Sequence, residues 1–288
     1  MNIDEFRIDF RQQLVGMYEL EEVENLCFLT LEHVLKMNRV EISLSRKMDI
    51  STSGLTQLNE VTSRLSRSEP IQYIIGNTEF YGMEFQVNPA TLIPRPETEE
   101  LVEWIVTDKG ESFIKSEAQE KLKVLDIGTG SGCIAISLAK NISNTHVEAI
   151  DISQDALATA YQNANKNEAD VTFYNQNILE VETLEKRYDI IVSNPPYVRM
   201  LEKKEMRDNV LSNEPDSALF VTDEDPLVFY RKIGELAFKA LEPQGSLYVE
   251  INEYLGTETV TLFEKVGFKK VSLRKDMFGK NRMIKASR

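Results

Sequence analysis

From residue 121 onward, short apolar runs alternate with stretches of helical period. Residues 124–126, 147–151, 171–174, 190–193 and 246–251 are the apolar runs, rich in β-branched side chains. Residues 134–140 and 155–166 between them carry apolar positions at helical spacing. Parallel strands need a long crossover, and a helix on the sheet face supplies it, so this alternation predicts an α/β fold. The expected architecture is a doubly wound, mostly parallel, Rossmann-like sheet.

The first part of the chain reads differently. Phe6, Phe10, Leu14 and Met17 fall at three- and four-residue steps, as do Val23, Leu26, Cys27, Thr30, Leu31 and Val34. Leu55, Leu58, Val61, Thr62 and Leu65 repeat the pattern, which predicts a small helical bundle over residues 1–72. Pro70 marks a change to β-branched and aromatic residues broken by Gly76 and Gly82, and residues 78–81 and 83–87 are expected to form a hairpin. The predicted division is a helical domain at 1–72, a hairpin linker at 73–93 and a catalytic domain at 94–288. Within the last, Pro96 suits a helix start, Glu97, Glu99 and Glu100 suit its positive end, and Leu101, Val102, Ile105 and Val106 give it an apolar face. The acid-rich residues 201–216 lack a clear period and are expected to form a loop or short helix near the site.

Composition narrows the functional classes. A net charge of −14 works against a phosphate-backbone partner, because nonspecific nucleic-acid affinity is mostly cationic. No long apolar run predicts a membrane span, and residues 1–20 lack the layout of a secretory signal, so a cytoplasmic location is the expectation. Cys27, Cys133, His33 and His146 have neither disulfide-framework nor metal-ligand spacing, and no metal site is expected.

The first strand of the alternating region runs into Asp126-Ile127-Gly128-Thr129-Gly130-Ser131-Gly132 and then a helix. Glycines let the backbone approach a ligand, and the helix start can receive an anion such as an amino-acid carboxylate. Asp126 at the strand end can meet an ammonium group, directly or through water. The spacing is Gly-x-Gly-x-Gly and not the Gly-x-Gly-x-x-Gly of dinucleotide sites, and a ligand carrying both amino-acid charges fits S-adenosylmethionine better than a nicotinamide dinucleotide. Asp151 ends the next strand, where an acid takes a ribose diol; helix capping is its plainer reading, although Ser153 is the better-placed cap. Asn177 and Ile178 follow the third strand, where an adenine is held.

Ser193-Asn194-Pro195-Pro196-Tyr197 closes the fourth apolar run. An amide or exocyclic amine nitrogen is a poor nucleophile because its lone pair is delocalised. Two acceptors gripping its hydrogens can aim it at a methyl group; the Asn194 side-chain oxygen is one, and the Pro195 carbonyl is the second. Adjacent prolines stiffen the corner, and Tyr197 offers an aromatic face to a flat group. No strong base is required, because the nitrogen sheds its proton after methylation.

Asn-Pro-Pro-Tyr is shared by adenine and glutamine methyltransferases, so other stretches decide between them. Pro70-Ile71-Gln72-Tyr73-Ile74-Ile75-Gly76, Phe80-Tyr81-Gly82, Leu92-Ile93-Pro94-Arg95-Pro96-Glu97-Thr98-Glu99, and Arg274-Lys275-Asp276-Met277-Phe278-Gly279-Lys280-Asn281-Arg282, with the two motifs above, resemble the release-factor glutamine methyltransferase (HemK) family. The resemblance covers residues 65–288. It implies a class I methyltransferase fold, S-adenosylmethionine as cofactor, and methylation of N5 of the glutamine in the Gly-Gly-Gln motif of peptide chain release factors. It also implies that the helical domain helps hold that protein. On matching positions it gives Gly128–Gly132, Asp151 and Asn194 to the cofactor and Asn194, Pro195, Pro196 and Tyr197 to the glutamine. Asn177, Ile178 and Asn252 depart from the acid, the aromatic and the glycine common there. Arg95, Glu97 and Thr98 have two equal readings, a tethered helix start or cofactor contact. Rival substrates are a glutamine of a ribosomal protein and, against the acidic charge, adenine N6 of a nucleic acid.

Overall fold

The computed structural model describes residues 1–113 and 121–288. Two compact units emerge: Met1–Gly76 with Arg207–Asn213, and Asn77–Met206 with Glu214–Arg288.

The first unit is helical: α1 (Ile3–Leu14), α2 (Leu20–Leu35), α3 (Arg39–Leu44), α4 (Thr52–Leu65) and α5 (Ile71–Ile75). Asn2 and Asn38 each cap a helix by accepting a hydrogen bond at N3, and Glu5 and Glu41 return the bond to the cap backbone. Phe6, Phe10, Leu14, Val23, Leu26, Leu31, Leu58, Val61 and Leu65 close one core, which is the stripe the spacing predicts. Met17 departs from it. Helix α1 stops at Leu14, Gly16 turns the backbone at φ 91°, and Met17 is left 47% exposed. Ile71–Ile75 is a helical turn between Pro70 and a left-handed Gly76, despite its β-branched composition.

The second unit opens with the hairpin β1 (Asn77–Phe80) and β2 (Met83–Gln86), followed by α6 (Pro96–Phe113), whose Leu101, Val102 and Ile105 are fully buried. Then β3 (Leu122–Ile127), α7 (Cys133–Asn141), β4 (Thr145–Asp151), α8 (Gln154–Lys166), β5 (Val171–Asn175) and β6 (Tyr188–Ser193) alternate as expected. Residues 198–221 hold short pieces: β7 (Val198–Arg199), a 3₁₀ turn Met200–Glu205, α9 (Asp208–Asn213), α10 (Asp216–Leu219) and β8 (Phe220–Val221). Of these, α9 belongs to the helical unit, where Arg207 meets Glu22 at 3.2 Å and Asn213 Nδ2 donates to the Ser68 carbonyl at 3.1 Å. The chain ends with α11 (Val228–Ala240), β9 (Leu241–Glu250), α12 (Gly256–Val266), β10 (Lys270–Lys275) and β11 (Asn281–Ser287).

Seven strands form the main sheet in the order β10-β11-β9-β6-β3-β4-β5. Strands β5, β4, β3, β6 and β9 run parallel, and β11 is antiparallel to both its neighbours. Buried side chains cover both faces of the sheet: Val124, Val147 and Ile190 join one core and Leu125, Ile191 and Val249 the other. Direction of travel reverses at β3, with β4 and β5 added on one side and β6 and β9 on the other. That reversal opens a crevice at the carboxyl ends of the strands, where doubly wound sheets bind ligands. No helix among the described residues is long and apolar enough to cross a membrane.

Candidate active site

A cleft of about 290 Å³ opens over those strand ends. Gly128, Thr129, Gly130 and Ser131 line it from the β3 loop, Asp151 from the end of β4, and Asn177 and Ile178 from beyond β5. Asn194, Pro195 and Pro196 line it after β6. Three sequence-predicted residues stand behind the wall: Asp126, Gly132 and Tyr197.

Asp126 is fully buried beneath the glycine loop. Its Oδ2 accepts the Thr129 hydroxyl at 2.6 Å, and its Oδ1 has no hydrogen-bond partner of standard geometry. Burial pushes the carboxyl up to about 7, with the Thr129 hydroxyl and the Ala135 N–H working in the other direction and the nearby Asp151 adding to the rise. A buried acceptor this poorly satisfied is costly unless a ligand completes it, and an ammonium group is the natural complement. A Cβ added at Gly128 or Gly130 would meet nothing within 4 Å, so the loop leaves an open cradle. The donor set and the cradle both fit the amino-acid end of S-adenosylmethionine. Among the described residues, no group of three or more His, Cys, Asp or Glu side chains could hold a metal ion.

Asp151 is not the cap of α8. Ser153 fills that role by accepting from the Ala156 N–H at 3.2 Å. Asp151 accepts the Gly130 N–H at 2.8 Å through Oδ2 and the Ser153 N–H at 2.9 Å through Oδ1, so it braces the glycine loop while lining the cleft. Asn177 caps the 3₁₀ turn Ile178–Glu180 through the Leu179 N–H at 3.1 Å, and Ile178 is 8% exposed.

The Asn-Pro-Pro-Tyr corner is fastened along its length. Ser193 Oγ donates to the Ile127 carbonyl at 2.7 Å, tying the end of β6 to the end of β3. The Tyr197 N–H donates to the Leu219 carbonyl at 3.2 Å, and the Tyr197 carbonyl accepts from Asn252 Nδ2 at 3.0 Å. The Tyr197 hydroxyl turns inward and donates to Glu250 Oε1 at 2.9 Å. Burial, and secondarily the Glu250 charge, push that phenol well above its usual range, so it stays a donor.

Sequence reasoning left Thr98 without a role and did not single out Glu250. Thr98 is 2% exposed at the start of α6; its hydroxyl donates to Glu250 Oε2 at 2.6 Å and accepts from Asn194 Nδ2 at 3.2 Å. Burial pushes Glu250 up, opposed by the Thr98 and Tyr197 hydroxyls and by the Arg282 charge. Arg282 is in turn held by Asp276 at 3.0 Å, which gives the tail motif a place behind the site. Arg95 pairs with the buried carboxylate of Glu214, which also accepts the Ile93 N–H, so the proline-rich stretch is anchored as a wall of the cleft. The signal for Thr98 was present: it sits in the Pro-Arg-Pro-Glu-Thr-Glu string that carried the family resemblance.

This sheet, with a glycine loop and an Asn-Pro-Pro-Tyr corner on one cleft, defines a class I S-adenosylmethionine-dependent methyltransferase. Residues 104–234 match the methyltransferase small domain family and residues 10–76 the PrmC N-terminal domain family. The chain is 52% identical to the release factor glutamine methyltransferase of Flavobacterium psychrophilum over 100% of its own length and 99% of that protein's. It is 45% identical to that of Bacteroides thetaiotaomicron, over 96% and 97%. It belongs to the release factor glutamine methyltransferase family. The fold likeness extends to the hMettl16 catalytic domain in complex with MAT2A 3′UTR hairpin 6, at 16% identity and a TM-score of 0.55, covering 77% of this chain and 81% of that one.

Proposed function

We propose that this enzyme methylates N5 of the glutamine in the Gly-Gly-Gln motif of peptide chain release factors. The observation that carries the reading is the shared cleft: the Asn194 amide and the glycine cradle line the same crevice. S-adenosylmethionine supplies an electrophilic methyl group there. Asp126, beneath the glycine loop, would meet its ammonium group directly or through water, Asp151 would take its ribose diol, and Asn177 and Ile178 would flank its adenine. Asn194 Oδ1 and the Pro195 carbonyl accept the two N–H groups of the glutamine amide. That grip would aim the nitrogen lone pair at the methyl and favour its rehybridisation; as the N–C bond formed the S–C bond would break, S-adenosylhomocysteine would leave with the bonding pair, and solvent would take the proton from nitrogen. Tyr197, pinned by Glu250 and Asn252, keeps the corner rigid from behind.

The helical unit, which carries the match to the PrmC N-terminal domain, is assigned to holding the release factor. Such a substrate places the enzyme in the cytoplasm, where translation ends. The net charge of −14 supports a protein acceptor over a nucleic acid. The test is radiolabelled methyl transfer to purified release factors, with their Gly-Gly-Gln glutamine changed to alanine, a ribosomal-protein pool and adenine-containing DNA as further arms. Label on the wild-type release factor alone supports the reading. Label on the alanine variant, the ribosomal pool or the DNA at equal rate contradicts it.

A further inference from the structure

We infer that Thr98 and Glu250 are positioning residues that set which end of the Asn194 amide faces the substrate. The inference rests on the function proposed above.

Glu250 is 1% exposed and receives one hydroxyl on each oxygen, Thr98 at 2.6 Å and Tyr197 at 2.9 Å. Burial raises the Glu250 carboxyl while the two hydroxyls and the Arg282 charge act against the rise, and with one hydroxyl donated to each oxygen both oxygens serve as acceptors. A threonine hydroxyl has a single proton, and here it is committed to Glu250. Toward Asn194, then, Thr98 can offer only a lone pair. The Asn194 group facing Thr98 across 3.2 Å must be the NH₂ end, and Oδ1 is left as the end available to the cleft. Reversing the amide would set two acceptors, Glu250 and Asn194 Oδ1, against one hydroxyl proton. It would also present NH₂ groups to an amide substrate that needs acceptors. The Glu250 acceptor thus fixes a dipole two hydrogen bonds away, and the reacting nitrogen reads that dipole.

The three residues come from distant parts of the chain: Thr98 starts α6, Asn194 follows β6 and Glu250 ends β9. Helix α6 is therefore docked by a bond whose chemistry bears on the site. This gives the Pro-Arg-Pro-Glu-Thr-Glu string a task distinct from cofactor contact.

The experiment compares Thr98→Val, Thr98→Ser and Glu250→Gln with the wild-type enzyme, each alone and with Asn194→Ala. Valine keeps the threonine shape without the relay. Glutamine keeps the glutamate shape but can donate to Thr98 and release its proton toward Asn194. Thr98→Val and Glu250→Gln are expected to lower kcat on release factor by about 10–10²-fold, with calorimetric cofactor affinity held within about twofold. Thr98→Ser, which keeps the hydroxyl, should recover most of that loss. In the Asn194→Ala background the Thr98→Val change should cost nothing more, because the dipole it orients is gone. A second readout needs no turnover: hydrogen exchange of the Asn194 side-chain NH₂, assigned by its disappearance in Asn194→Ala. Exchange should accelerate in Thr98→Val. Full additivity of the two losses, wild-type kcat in Thr98→Val, or unchanged exchange overturns the inference. A wild-type enzyme inert on release factors sinks the proposed substrate instead, and the exchange measurement still decides the positioning role.

Discussion

The Asp151 carboxylate accepts the Gly130 N–H at 2.8 Å, joining the end of β4 to the loop that follows β3. One side chain thus shapes the cradle and lines the part of the cleft assigned to the ribose. Removing it withdraws a charge-assisted hydrogen bond as well as the diol contact, each worth about 1.5–3 kcal/mol. Asp151→Ala is expected to weaken cofactor binding by about tenfold or more in titration calorimetry. Wild-type affinity would remove the assignment.

Asn194 sits where the chemistry is concentrated. Its replacement by alanine deletes one aimed acceptor and leaves the glycine loop and Asp151 untouched. Turnover should fall by about 10²–10³-fold, with cofactor affinity little changed. Single-turnover methyl transfer and calorimetry on the same preparation separate the two. Unaltered turnover would refute the role.

Asp126, proposed to meet the ammonium group of the cofactor, is expected to make cofactor binding pH-dependent. Burial lifts its carboxyl from an ordinary 3.8 to about 7, so the folded protein holds a proton there that the unfolded chain releases. The stability of the folded protein therefore falls as pH rises from the lower value to the higher, because the unfolded chain ionises over that window while the folded carboxyl stays protonated. An ammonium group pairs with the ionised form, so affinity should rise with pH up to about 7 and then level, with proton release below that point. Calorimetry across the window in buffers of differing ionisation enthalpy checks this, and Asp126→Asn should flatten the profile. An affinity that falls as pH rises toward neutrality would contradict it.

Gly132 caps α7 at φ 82°, and a Cβ there would lie 2.9 Å from Ile136 Cδ1 and 3.2 Å from Ala160 Cβ. Gly132→Ala combines left-handed strain with crowding. It should cost about 2 kcal/mol, or about 4–8 °C in Tm for a unit of this size. Gly130→Ala, at φ 55° with no atom within 4 Å of the new Cβ, should cost less stability and more cofactor affinity. Equal melting temperatures for wild type and Gly132→Ala would discount the close approach.

What the sequence made legible was local. The alternation after residue 121 marked five parallel strands, four of which bury an apolar run while β5 buries only Phe173, and the glycine loop and the Asn-Pro-Pro-Tyr corner are contiguous. Strands β10 and β11 escaped the reading: β10 is an edge strand whose side chains are mostly exposed, with only Val271 and Leu273 apolar, and β11 mixes polar and apolar residues without a long apolar run. The Thr98–Glu250 bond spans 152 residues, and no spacing rule joins residues that meet only when α6 docks at the end of β9. Asn252 stands where the family commonly has glycine, yet its amide ties the Tyr197 carbonyl to Glu202 at 3.0 and 2.8 Å. Such a role depends on three elements meeting in space.

The most direct measurement is tandem mass spectrometry of a release factor incubated with the enzyme and cofactor. One added methyl is expected, localised by fragmentation to the side-chain amide of the Gly-Gly-Gln glutamine and absent with Asn194→Ala. A methyl found on any other residue, or a release factor left unmodified while another substrate is methylated, would contradict it.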